Sequence, residues 1–513
     1  MNKLCIQVLF LLGTSAISYA QPGTLDQSFG SLGKVTTAIG PNNASASAIA
    51  FQPDGKILLA GKSFTDNTLL DDFALARYNP DGSLDNSFGT NGLVITDLQQ
   101  AVDVATAITL QPDGKIVVAG HTHNGNNYDF AVARYLSNGD LDNTFGTNGK
   151  VLKNFGSTDF GLAMALLPNG KIVVAGRAYN GQNSDFAMVQ LNSNGSFDNS
   201  FGTSGAVMAN LFAEVESANA IAIQADGKIV LAGDRYANNT SLFALARFNT
   251  DGSLDPSFGL NGKVSTSIVG LSDVAYAVAV QSNGSIVAAG VSNNTSISDF
   301  AVARYLSDGT PDNSFDGDGQ LTTNVTNGGD YASTIAIQAD GKILVGGTAV
   351  GSNSISDFAV VRYLPDGGQD GSFGTNGISQ LDFNNGTDVA NSMAMHQGKL
   401  VVAGYTDKDA KSSFALARLN VGSSVGASDL YAKDSPHIFP NPAVEMVQIS
   451  VPAAAVEGKC QVFSSTGHLV TEFSSIPPIM KINVSSWACG VYIIKFCDNE
   501  GLCTVAKLRV MRY

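Results

Sequence analysis

Ser-Phe-Gly or a close variant recurs seven times in this 513-residue chain, with its Phe at Phe29, Phe88, Phe145, Phe201, Phe258, Phe315 and Phe373. The successive spacings are 59, 57, 56, 57, 57 and 58 residues. A fixed period of this size means stacked or radially arranged copies of one supersecondary unit, each too small to bury its apolar face alone. Nothing else in the chain constrains the fold so tightly.

The second unit, which starts at Leu84, holds four runs with strand character: residues 93–97, 105–111, 115–120 and 129–136. Each has the length of an ordinary strand and is rich in Val, Ile, Ala or aromatics. Pro112-Asp113-Gly114 separates the second run from the third, with Pro presetting φ and Gly accepting a positive φ. A Gly stands at this turn in every copy: Gly55, Gly114, Gly170, Gly227, Gly284, Gly341 and Gly398. Gly interrupts the chain too often, and no run keeps a 3.6 period, so helical solenoids are excluded. Four short strands per unit, repeated seven times, predict an all-β, seven-bladed β-propeller with room for one extended loop per blade. A β-helix is the runner-up, but its rungs are shorter and three would be needed per unit. Closure is expected to pair the first unit's strand at 34–39 with the last unit's sheet.

The string LDxSFGxxGxV…QPDGKIVVAG…DFALARYNxDGS resembles the delta-60 repeat family of bacterial surface and secreted proteins, over about Thr24 to Asn420. The resemblance implies a β-propeller and no particular activity or ligand. The domain expected is 21–420.

Both ends differ from the repeat. Residues 1–20 carry Lys3, an apolar stretch from Val8 to Leu12, and Ser18-Tyr19-Ala20, the pattern of a secretory signal peptide. No later segment is long and apolar enough to be a membrane span. Residues 421–435 are Gly/Ser-rich and read as a linker. Residues 436–513 alternate apolar and polar positions, with turn signals such as Ser465-Thr466-Gly467, and predict a small, Ig-like β-sandwich. This segment resembles the type A sorting domain of the type IX secretion system of the Bacteroidota. The resemblance lies in Phe439-Pro440-Asn441-Pro442, Gly467-His468-Leu469-Val470, Gly490-Val491-Tyr492 and the basic tail Lys507 and Arg509. Trp487 and Cys489 depart from it. By that resemblance the domain is an export address read by the type IX secretion machinery. The chain then passes through the periplasm and is secreted or held at the outer cell surface.

A net charge of −15 argues against nucleic acid and anionic lipid as partners. Cys5 falls in the leader, and the other four cysteines, Cys460, Cys489, Cys497 and Cys503, fall in the last domain. An exported context permits disulfides. Cys497 and Cys503 flank a five-residue turn, and a bridge across that hairpin is expected.

Three sets of residues are candidates for a role. Asp26, Asp85, Asp142, Asp198, Asp255, Asp312 and Asp370 each stand two positions before a Ser-Phe or Thr-Phe pair, or in Asp26 before Ser28-Phe29. Arg77, Arg134, Arg247, Arg304, Arg362 and Arg418 stand in the fourth strand, with Gln190 breaking the series. A catalytic group is needed once and a structural device once per blade, so these predict a repeated Asp–Arg or Asp–backbone link. The third set is Asp103, Asp159, Glu216, Asp273, Asp330 and Asp388, just ahead of the second strand, where unit one has Ala44. Six carboxylates on a ring would suit calcium; the plainer reading is Asp capping of solvated turns.

Catalytic constellations are thin. His121 and His123 are expected in a loop after the third strand, and Asp316-Gly317-Asp318-Gly319 is a short acidic turn; neither brings a full ligand set. The loop between the third and fourth strands changes in every copy, as in HTHNGNNYDF, RAYNGQNSDF and DRYANNTSLF, and loops on a rigid scaffold carry specificity. The function expected is a secreted or surface propeller that binds or scaffolds glycan or protein. The alternatives are a polysaccharide-active enzyme and a purely structural adhesion component.

Overall fold

The computed structural model describes residues 21–64, 70–269, 271–293, 297–351, 354–383, 385–408 and 411–422, and, beyond them, 437–439, 446–450, 459–464, 468–474, 479–488, 490–497 and 503–510. Residues 1–20, where a leader is expected, and 423–436, where most of the linker is expected, lie outside the described residues. Every regular element is a strand. The chain divides into two compact units, Met1–Gly422 and Ser423–Tyr513.

In the first unit, β1 (Lys34–Thr37) is followed by β2 (Ala44–Phe51), β3 (Ile57–Phe64), β4 (Asp71–Tyr78) and β5 (Leu93–Thr96). β2 to β5 form one antiparallel sheet in that order. The same four-strand pattern recurs round the ring, and a single parallel bridge, Ser241 to Ser272, joins the fourth sheet to the fifth. The strands equivalent to β2 begin at Asp103, Asp159, Val215, Ser272, Asp330 and Thr387. Each lies beside the next, and the strand Thr387–His396 returns to β2, so seven innermost strands surround one axis.

Each sheet takes its outermost strand from the following repeat, which leaves the last sheet one strand short. β1 fills that place, pairing Lys34 with Ala417 through Thr37 with Phe414 of the strand Lys411–Asn420. The expected closure is what is seen. Closing the ring removes the free edges that an open stack of sheets would expose.

The strands equivalent to β3 and β4 are buried on both faces, because each sheet is sandwiched between two neighbours. Leu58, Ala60, Phe73 and Leu75 of one blade share a core with Ala105, Ile116, Val118, Ala131 and Ala133 of the next. Alternating Ala with larger side chains lets the sheets approach while filling the gap.

Every innermost strand carries a β-bulge, between Ala46 and Ala48 in β2 and between Ala105 and Ala107 in its neighbour. The Gly of each Ala-Gly or Gly-Gly pair in the second strand faces it. A Cβ on Gly120 would stand 1.9 Å from the Val104 carbonyl oxygen, and the distances at Gly61 and Gly176 are 2.0 and 1.8 Å. Close backbone approach dictates this recurring Gly; a strand end does not.

In the second unit, one three-stranded sheet holds Val447, Ile449, Met480 and Ile482, and a four-stranded sheet holds Cys460, Val462, Ile494, Phe496 and Leu508. These side chains share one core, with Trp487 packed against it. Cys460 is free and fully buried, and burial pushes its thiol up to about 12. Cys497 and Cys503 are register partners across their hairpin; their side chains, like Cys489, lie outside the described residues.

Gly120→Ala should cost roughly 3 kcal/mol or more, since backbone must move to admit the methyl group. Gly114→Ala should cost only about 1 kcal/mol, because that site has a positive φ of 82° but nothing within 4 Å. Denaturant melts of both full-length variants check this; equal losses would contradict the bulge argument.

Candidate functional site

The strand ends define two poles of the ring. The Pro-Asp-Gly and Ser-Phe-Gly turns lie at one. The variable loops, and the starts of the innermost strands, lie at the other.

At the turn pole the Asp and Arg series meet. Arg Nε donates to Asp Oδ2 at 2.8–2.9 Å in Arg77–Asp85, Arg134–Asp142, Arg247–Asp255, Arg304–Asp312 and Arg418–Asp26, and Arg362 Nε lies 2.9 Å from Asp370. The other Asp oxygen accepts from the amide and hydroxyl of the Ser or Thr two residues on, as in Ser87. That hydroxyl also accepts from Arg77 Nη2 at 3.2 Å. The guanidinium lies 4.4–4.7 Å from the centroid of the Ser-Phe-Gly ring in all six cases. Nη1 donates to a backbone carbonyl one repeat on: Ser137 for Arg77, Ser193 for Arg134, and, closing the ring, Pro80 for Arg418. The amide after each Phe crosses too, as Gly89 to the Asn138 carbonyl at 2.8 Å, Asp316 to Asp366 at 2.8 Å and Gly374 to Pro22 at 2.8 Å.

A further recurring partner was not singled out from sequence. Lys56, Lys115, Lys171, Lys228, Lys342 and Lys399, just after the turn Gly, lie 2.6–3.3 Å from the same Asp series. Ser285 breaks this column. In blade three, where Gln190 replaces Arg, Lys171 still holds Asp198 at 2.6 Å. Burial raises Asp26, but the Ser28 hydroxyl and amide, Arg418 and Lys399 outweigh it and hold the carboxyl at about 2.

The acid series sits at the other pole, yet not as a solvated ring. All six are fully buried within the first two residues of the innermost strands, not ahead of them. Each accepts amide hydrogens from the loop before it: Leu98 to Asp103 at 2.6 Å, Phe155 to Asp159 at 2.7 Å, Ile268 to Asp273 at 2.8 Å, Val325 to Asp330 at 2.7 Å, and likewise Leu211 and Phe212 to Glu216 and Phe383 to Asp388. Among the described residues, the acidic groups whose oxygens come within 4.8 Å are Asp72–Asp97–Asp103 and Asp357–Asp382–Asp388, and each holds one member of the series. The carboxylates cap local loops rather than converge on the axis. Burial lifts Asp103, Asp159 and Asp388 to about 6.

His121 and His123 lie on the strand Ile116–His123, not in the loop expected for them. Gly120 accommodates the bulge opposite, so the strand continues past it. No His belongs to a three-ligand group among the described residues. Instead the two imidazoles join an aromatic cluster spanning two blades. His121 meets Phe160 edge-on at 5.0 Å and Tyr128 at 5.5 Å; Tyr128 lies 5.0 Å from both Phe160 and His123. Arg177 stacks on Phe160 at 4.7 Å. Burial pushes His121 down to about 4, and its Nδ1 donates to the Gly161 carbonyl at 3.3 Å, so the neutral ring keeps its Nε2 lone pair.

His121 and Arg177 occupy one repeat column, the residue after the bulge-facing Gly: Lys62, His121, Arg177, Asp234, Val291, Thr348 and Tyr405. Its type changes in every copy while the Gly before it holds. Lys62 and Arg177 are in electrostatic reach of His121, Arg177 of Asp234, and Asp234 and Tyr331 of Tyr276. These groups run through successive blades near the variable-pole ends of the strands equivalent to β3. Bulge side chains tie the innermost strands together, as Thr106 to the Gly161 carbonyl at 3.1 Å and Asn391 to Ala46 at 2.8 Å. The outer loops spend their Asn side chains on themselves: Asn124 Oδ1 accepts from the amides of Asn126 and Asn127.

Seven segments, 52–88, 111–145, 167–201, 224–258, 281–315, 338–373 and 398–425, match the family described as a domain of unknown function (DUF5122) beta-propeller. Residues 437–511 match the secretion system C-terminal sorting domain. No curated protein matches the chain. Similar solved structures include a catalytically inactive virginiamycin B lyase from Staphylococcus aureus with quinupristin, at 12% identity and TM-score 0.42, covering 75% of this chain and 98% of that one. The polysaccharide lyase Uly1 has 13% identity and TM-score 0.42, covering 80% and 94%. Drosophila plexin A in complex with semaphorin 1b has 10% identity and TM-score 0.43, covering 78% and 88%.

The two acid series set opposite pH responses. Carboxyls held low, such as Asp26 and Asp370 at about 2, contribute stability that is complete above the unfolded value of roughly 4 and lost as pH falls through 2. Those raised to about 6 keep protons that the unfolded chain has shed, so stability falls as pH rises from roughly 4 to 6 and then levels. Denaturant melts across pH should show a maximum near pH ~4–4.5, and Asp103→Asn should flatten the decline above it. A maximum at neutral pH would contradict this.

Proposed function

We propose that this chain, a secreted surface protein of seven DUF5122 β-propeller repeats with a C-terminal type IX sorting domain, is a binding module whose ligand sits at the variable-pole mouth of its channel. One observation carries the reading. The repeats largely agree where blades grip one another, and they diverge in the column after the bulge-facing Gly, whose Lys62, His121, Arg177 and Asp234 lie within electrostatic reach of one another in succession. Binding residues belong on a rigid scaffold and need not recur. The half-buried aromatic rings, a guanidinium and an unprotonated imidazole suit a glycan or a protein surface. The type IX address delivers such a module to the cell surface or beyond it, and among the described residues no helix is long and apolar enough to cross a membrane.

A second reading, action on a polysaccharide, draws on the neutral His121 beside the Tyr128 ring. A neutral imidazole can accept a proton, and burial makes this one a weak base at neutral pH. Release of new reducing or unsaturated ends, lost in His121→Ala, would favour this reading over simple binding.

Replacing His121, Phe160 and Arg177 together by Ala should abolish ligand binding on a glycan and surface-protein array, while Leu260→Ala, at an exposed turn-pole side chain, should leave it intact. The reverse pattern would contradict the assignment. Separately, a chain ending at Gly422 should remain folded and be retained inside the cell. Its normal appearance outside would contradict the sorting role.

A further inference from the structure

The chemistry at the mouth is specific enough to name a ligand class, on the premise that the mouth is the binding site. Phe160 is its floor, with Tyr128 inclined at 31° to it and His121 edge-on, all half-buried. Such faces take the C–H side of a pyranose ring, and His121 Nε2 and the Tyr128 hydroxyl are free to meet sugar hydroxyls. The decisive group is Arg177. Its guanidinium lies on Phe160 at 4.7 Å and, among the described residues, has no carboxylate partner. Asp234 is within electrostatic reach of it, yet its Oδ1 instead accepts from Asn219, at 3.4 Å. Lys62, by contrast, is spent on Asp71 at 2.9 Å. The six turn-pole arginines all have carboxylates; this one has its planar donor fork unspent. Since the whole chain carries −15, attraction for an anion here is local, not long-range.

We propose that the mouth binds an acidic saccharide, a pyranose unit bearing one carboxylate or sulfate, with the ring against the Tyr128–Phe160 pair and the anion on Arg177. One unpaired cation matches one negative charge per sugar; a phosphate dianion would call for more. The planar fork pairs with either anion through two parallel hydrogen bonds.

The test is calorimetry on the purified full chain with oligogalacturonate, a sulfated galactan oligosaccharide, maltohexaose and cellohexaose. Binding of one or both acidic probes, weakened by salt, is expected, and the stronger of the two identifies the anion. Arg177→Leu should weaken it by about tenfold or more, Arg177→Lys less, and Phe160→Ala comparably to Arg177→Leu. Melting temperatures of all three should stay near the parent's, because both side chains are half-exposed. If neutral and acidic probes bind equally, and only Phe160→Ala weakens them, the acidic preference is overturned while the mouth remains a glycan site. If no saccharide binds, the inference is overturned and a protein ligand at the mouth stands. If saccharides bind regardless of either substitution, both the inference and the mouth assignment are overturned.

Discussion

The link between an Arg and the Asp-x-Ser-Phe-Gly turn is the interaction on which the ring depends. Around each guanidinium, Nη2 meets Ser or Thr, Nη1 the next blade's carbonyl and one face a Phe ring, while Nε donates to Asp in five of the six and lies 2.9 Å from it in Arg362. A buried ion pair alone is weak evidence for stability, because desolvation offsets the attraction. Here the pair is fully hydrogen-bonded and one of its bonds crosses between blades. That crossing turns a local turn into a ring-wide clamp. Blade three, with Gln190, retains the Lys171–Asp198 pair and the Gly202 amide bond to Asp251 at 2.7 Å, so one junction survives without the guanidinium.

A clamp at one pole leaves the other free to vary. The turn pole recurs because each blade must grip its neighbour in the same way. At the variable pole the loops need only be held, and the buried carboxylates do that by accepting the amides of the preceding loop. Unit one, with Ala44 in place of the acid, instead has Asn43 accepting from the Ser412 amide at 3.0 Å. Once the loop ends are fixed, the column after the bulge-facing Gly need not repeat one residue: Thr348 accepts the Ala390 amide at 3.1 Å and Lys62 pairs with Asp71, while the seven side chains differ in charge, size and aromaticity.

The periodic part of this architecture was legible in the sequence because it is written once per blade. Phe29 through Phe373 give the blade number, and the strand at Lys34–Thr37, unpaired within its own repeat, gives the closure. The two residues of the clamp sit eight apart in sequence, as Arg77 and Asp85, and recur together. The proposed binding mouth is not legible in that way. Phe160 and Arg177 belong to one repeat, but His121 and Asp234 belong to its neighbours, and only curling about an axis brings them together. Gly120 looks like a strand end in the sequence, which puts His121 in a loop; the bulge that requires that Gly is a pairing feature, invisible without the partner strand. The acid series was read as solvated because its amide partners lie four and five residues upstream in loops that share no motif. The changing column itself was readable, as the one position beside a recurring Gly that never repeats its residue.

The division of labour between the poles is tested most directly by hydrogen–deuterium exchange on the full chain, with and without an acidic oligosaccharide. Slowed exchange confined to segments 120–128, 160–162 and 176–178, with the amides of Gly30, Gly89, Gly146, Gly202, Gly259 and Gly374 equally protected in both states, is the predicted result. Protection appearing instead at the Ser-Phe-Gly turns or in residues 437–510 would contradict it.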